Sequence, residues 1–125
     1  MIEVLKNNPR SAKPDAGLVV ALCTCPDVPT ARELARGLVS AGLVACVNVI
    51  PDLLSIFRWR DKLTEENEAL MVIKTTPDTM PAVENWLLAR HPYDVPEVLS
   101  LPVAGINRAY LDWARGLVSA VRHDP

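Results

Sequence analysis

Apolar residues along this chain recur with period two, then near 3.6, then two again, an alternation that predicts an α+β domain built on an antiparallel sheet. Two further observations support that class. Two β-rich segments sit between two helical ones. The tetrapeptides Thr24-Cys25-Pro26-Asp27 and Thr75-Thr76-Pro77-Asp78 punctuate the chain at matching points, each after a strand and each followed by a second proline, Pro29 or Pro81. The chain therefore reads as a duplicated βαβ unit.

The elements follow in order. Residues 1–16 lack apolar periodicity apart from Ile2, Val4 and Leu5, and read as a mobile tail; residues 17–125 form one domain. Residues 18–24 are nearly all apolar and stop at Pro26, which suits a central strand buried on both faces. Ala31, Leu34, Ala35, Leu38 and Val39 make one helical stripe, ended by Gly42. Residues 43–50 are apolar and β-branched, Pro51-Asp52 interrupts, and residues 55–60 alternate with Phe57 and Trp59 on one face. Together they predict a long, bent strand. The polar residues 61–67 form the expected turn, and residues 69–75 return as a strand to complete an extended hairpin. Met80, Val83, Trp86 and Leu87 mark a second helix that ends before Pro92. Residues 97–103 give a fourth strand, and Asn107 caps a last helix whose stripe includes Tyr110, Leu111, Ala114 and Leu117. A β-α-β-β-α-β order folds most simply as a ferredoxin-like antiparallel sheet with two helices on one face, here with an extra C-terminal helix.

Composition narrows the function. The 125 residues suit a single core, and half of them are hydrophobic. A net charge of −2, with both signs scattered, offers no electropositive field for nucleic acid. No apolar run nears the ~18 residues needed to span a membrane. Cys23, Cys25 and Cys46 are too few and too sparse for a secreted disulfide scaffold, so reduced thiols and a cytoplasmic location are expected. The phosphate-loop, dinucleotide-loop, nucleophile-elbow and HExxH patterns are all missing, which points to a binding protein and not an enzyme.

Few residues can carry chemistry. Cys23 and Cys25 lie two apart on a strand and so share a face, where thiolates would suit copper(I) or zinc; free cysteine is also a common core residue. Cys46 reads as core. His91 opens His91-Pro92-Tyr93-Asp94-Val95-Pro96-Glu97, the richest polar cluster in the chain, although a histidine at a helix end often caps carbonyls. Glu65, Glu66 and Glu68 read as a solvated face at the hairpin turn, and His123 as an idle tail residue. Aspartates 27 and 78 read as helix caps. Lys74, in an apolar strand, needs a partner, for which Glu97 or a bound anion is expected.

These residues resemble the CutA family, the divalent-cation tolerance proteins. The resemblance is carried by Leu22-Cys23-Thr24, Ala45-Cys46-Val47-Asn48, Phe57-Arg58-Trp59-Arg60-Asp61-Lys62, Ile73-Lys74-Thr75-Thr76, the His91 to Glu97 run and Tyr110-Leu111-Asp112-Trp113. It implies a fold related to PII signalling proteins and a tight homotrimer joined through the hairpins; Phe57 and Trp59, two aromatics on one face near the hairpin tip, are expected at the interface because a lone chain would leave them in water. It also implies a site for copper or another divalent cation, with ligands at Cys23 and His91. Some members carry a second histidine where Arg90 stands here, and arginine cannot ligate a cation. Lys74, Tyr93, Glu97 and Arg90 are the candidates for a cleft between subunits. Three classes of function remain: a metal-binding tolerance protein, a PII-like sensor of a small anion or partner protein, and an enzyme.

Overall fold

The computed structural model describes residues 16–118. Its elements are β1 (Val19–Cys25), α1 (Val28–Ser40), β2 (Cys46–Trp59), β3 (Lys62–Thr75), α2 (Met80–Arg90), β4 (Leu99–Pro102) and α3 (Arg108–Leu117). The sheet order is β2-β3-β1-β4 and every neighbouring pair is antiparallel. This is the ferredoxin-like arrangement that the element order predicts, with α3 added.

Register explains which side chains meet. Pairs Cys23–Met71 and Ala21–Ile73 across β1 and β3 share the face covered by α1 and α2. There they join Leu34, Leu38, Val83 and Leu87 in the main core. Among the described residues the opposite face is covered at one end, where Ala114 and Val118 pack with Leu18 and Ala45. Close approach of α1 and α2 depends on Gly37, because a Cβ there would lie 2.7 Å from the Trp86 ring. Gly42 ends α1 at φ +73°, with the Leu43 N–H bonded to Leu38 O and the Gly42 N–H to Val39 O, a Schellman pair.

The capping expectations divide. Asp27 accepts from the Thr30 N–H at 2.8 Å, and the Thr30 hydroxyl first and this N–H second hold its carboxyl below the usual range. Asp78 does not cap, since Thr79 occupies that position in α2 without a side-chain bond, and Asn107 caps α3 by position only. Ala16, assigned by sequence to the tail, donates its N–H to Val103 O. Expectations for residues 1–15 and for His123 fall outside the described residues.

The hairpin differs from expectation at both ends. Its turn is the dipeptide Arg60-Asp61, with φ of 51° and 65°, and not residues 61–67; the acidic run belongs to β3. Two consecutive left-handed residues match the twist of flanking strands, so a tight turn suffices without a polar loop. Near the other end Pro51 and Asp52 form a bulge: Ile50 pairs with Leu70 and Leu53 with Glu68, leaving two residues opposite Ala69. Cys46 is half-buried at the start of β2 and beside the second core, not enclosed within the first.

Candidate metal centre

β1 delivers two sulfurs to one place. Alternation along the strand puts Cys23 and Cys25 on the helix-facing side, where both are fully buried. His91 follows the last turn of α2, released into extended geometry by the proline after it. Its ring thereby reaches the end of β1. Cys23 Sγ, Cys25 Sγ and a ring nitrogen of His91 all lie within 4.8 Å of one another, with Cys25 Sγ 3.9 Å from Nε2.

The imidazole is held at both nitrogens. Nε2 is 2.8 Å from the Thr24 carbonyl oxygen, and only an N–H can satisfy that contact. Nδ1 accepts the Tyr93 N–H at 3.1 Å. The partners therefore assign the tautomer with the proton on Nε2. The thiols are unequal. A hydrogen bond shared with Cys25, and then burial, push the Cys23 thiol far above its ordinary value. The same bond lowers Cys25 against the opposing effect of burial.

A second cluster lies on the other side of the sheet. Tyr93 Oη donates to Glu68 at 2.6 Å, and Glu68 is only 9% exposed. Burial first, and this bond second, raise the Tyr93 phenol above its ordinary value. Sequence reasoning missed Glu68 because it placed the residue on a solvated turn. The available signal was its spacing from Leu70 and Val72, two and four residues on, which puts it on one face of β3. Glu68 and Tyr93 line an open groove of about 730 Å³ with Glu66, Asp94, Glu97 and Trp59. Among the described residues, none that lines the groove is basic.

The other expected cleft residues sit elsewhere. Lys74 bonds Asn48 Oδ1 and lies 4.0 Å from Cys46 Sγ, so its partner is a neighbouring amide and not Glu97. That amide is directly available because Cys46 and Asn48 belong to the strand paired with Lys74. Arg90 lies over the Trp86 ring at 4.3 Å and donates to Trp86 O, which turns it back along α2. Phe57 and Trp59 stand on one face near the hairpin tip, 38% and 49% exposed.

Comparison with known proteins agrees with this architecture. Residues 19–116 match the family described as CutA1 divalent ion tolerance protein. The chain is 46% identical over 96 residues to the divalent-cation tolerance protein CutA of Thermus thermophilus, covering 77% of this chain and 93% of that one. It is 44% identical over 101 residues to human protein CutA, covering 81% of this chain and 56% of the human protein. Among solved structures, divalent cation tolerance protein Cut A1 of T. thermophilus superposes with a TM-score of 0.78 at 44% identity, covering 81% of this chain and 98% of that one. CutA1 of Oryza sativa does so with a TM-score of 0.80 at 34% identity, covering 85% and 97%. A match across nearly all the described residues, in sequence and in fold, places the chain in the CutA1 divalent ion tolerance family, with its ferredoxin-like, PII-like fold.

Proposed function

We propose that this protein is a homotrimeric, cytoplasmic metal-binding protein of metal-ion tolerance that takes copper at the Cys23–His91 centre. The observation carrying this reading is the convergence of two buried thiols and an imidazole within 4.8 Å. Thiolate sulfur is a soft donor that suits copper and zinc, while magnesium and calcium prefer oxygen. The donor set thus fits a thiophilic ion. Reduced thiols are required, which fits three free cysteines and a reducing compartment.

A non-enzymatic role fits the same geometry. Cys25 and His91 approach like a nucleophile and its base, but Nε2 spends its proton on Thr24 O and has no lone pair for the thiol. The anion-sensor reading loses support within one chain, since Lys74 and Arg90 are engaged elsewhere and the large groove is lined by carboxylates.

Trimer formation is supported by β2, a 14-residue edge strand whose outer side pairs with no described residue, and by Leu99 and Leu101 exposed on the sheet face that α3 leaves open. Titration of the reduced protein with copper tests the site. Cys23→Ser should abolish uptake; a variant binding as tightly as the parent would remove Cys23 from the centre.

A further inference from the structure

We infer that Cys23 and Cys25 alone hold the ion, as a two-coordinate site for a monovalent d10 cation, cuprous or silver, with His91 outside the coordination sphere as a positioning residue. This inference rests on the cation-binding reading and specifies its ligands and its ion.

The imidazole is excluded by its own hydrogen bonds. To ligate through Nε2, the ring would have to give up the proton that Thr24 O accepts at 2.8 Å. The proton would then sit on Nδ1, facing the Tyr93 N–H at 3.1 Å, and two donors would oppose each other. Ligation by His91 therefore breaks two bonds to form one. The thiols give up only the S–H contacts that leave with their protons, the bond they share and a 3.8 Å contact from Cys23 Sγ to Thr24 O. Their sulfurs lie no more than 4.8 Å apart, a limit that admits a linear sulfur–metal–sulfur unit of about 4.6 Å, twice a metal–thiolate bond of ~2.3 Å.

Coordination number selects the ion. Structural zinc asks for four ligands and cupric copper for a tetragonal set of nitrogen and oxygen donors. Among the described residues no carboxylate joins the group. The one buried carboxylate among the described residues, Glu68, is bonded to Tyr93, and both cysteines are fully buried, away from any supply of solvent ligands. Two soft sulfurs without a third donor match an ion content with two. On binding, two S–H bonds release their protons to solvent and two sulfur–metal bonds form, with no change of oxidation state.

His91 then has a structural task. By gripping the Thr24 carbonyl, it fixes the peptide between the two cysteines and so sets the distance between their sulfurs. Outer partners of this kind typically alter metal affinity by about 10–100-fold when removed.

The test is anaerobic titration of the reduced protein with cuprous, silver and zinc ions against a competing chelator, with X-ray absorption of the cuprous form. The expected result is one cuprous or silver ion per chain, two sulfur neighbours, no imidazole scattering and much weaker zinc binding. Cys25→Ser should abolish the thiolate-to-metal absorption band, whereas His91→Gln should keep the band and lose about tenfold in affinity. Absorption of the parent protein decides the matter even where a variant folds poorly. An imidazole in the cuprous shell, zinc binding as tight as cuprous, or unchanged cuprous affinity in Cys25→Ser would overturn the two-thiol site while leaving a Cys23–His91 centre standing. If none of the three ions binds the folded protein, both readings fall.

Discussion

Tyr93 shows how one side chain ties two faces of the sheet together. Its backbone N–H orients His91 on the helix side, while its hydroxyl satisfies Glu68 on the other. Tyr93→Phe would leave a nearly buried carboxylate without its donor, at a cost of about 1–3 kcal/mol, measurable by urea unfolding. An unchanged midpoint would show that water replaces the phenol. The chain has two tyrosines, and burial raises both Tyr93 and Tyr110 above the ordinary phenol value of 10.0. Because a raised folded value favours the neutral form, this contribution is fully present below pH 10 and is lost as pH rises through the folded values. Phenolate absorbance should accordingly appear at higher pH in the folded than in the unfolded protein, and folded and unfolded phenols titrating together would contradict this. Cys23 and His91 were legible in the sequence as residue types suited to metal. The full engagement of the imidazole was not, because it depends on a carbonyl of Thr24, 67 positions away.

The helices and β1 could be read from periodicity, since each buries a stripe or face against a single core. The hairpin could not be read as well. An acidic run resembles a turn by composition, whereas its exposure arises from lying in a strand that outruns the helices beneath it. The true turn is occupied by Arg60 and Asp61, both in the left-handed region and neither a glycine. A non-glycine residue there costs roughly 1–2 kcal/mol, so Asp61→Gly should raise stability by about 1 kcal/mol in thermal unfolding. No gain would mean that the flanking strands already dictate the turn. On α1, Gly37→Ala should do the reverse. A methyl 2.7 Å from Trp86 forces the indole or the helix to move, an overpacking cost of about 1–3 kcal/mol.

At the scale of the molecule, the predicted assembly rests on surface that a lone chain leaves uncovered. Leu54, Ile56 and Leu63 add to Phe57 and Trp59 as large apolar side chains exposed along the hairpin. Burying the two aromatics against a neighbour would contribute about 1.5–3 kcal/mol each. Sedimentation should return a mass near three chains, and Trp59→Asp should lower it; a parent that stays monomeric at micromolar concentration would refute the assembly. The bulge at Pro51-Asp52 decides which surface this is. Before it, the even-numbered residues Cys46, Asn48 and Ile50 stand opposite Lys74, Val72 and Leu70; after it, the odd-numbered Leu53, Ser55 and Phe57 stand opposite Glu68, Glu66 and Thr64. The extra residue thus acts as a half-period phase shift in the strand. Pairing the full-length strand without the bulge would set Leu53 opposite Asn67 and turn Phe57 and Trp59 to the reverse side of the ribbon. A one-residue deletion at this site should therefore be silent in facing, since Leu53 stays opposite Glu68, whereas a two-residue deletion sets Leu53 opposite Ala69 and should behave as a frameshift written in space, with the same side chains presented to the wrong neighbour.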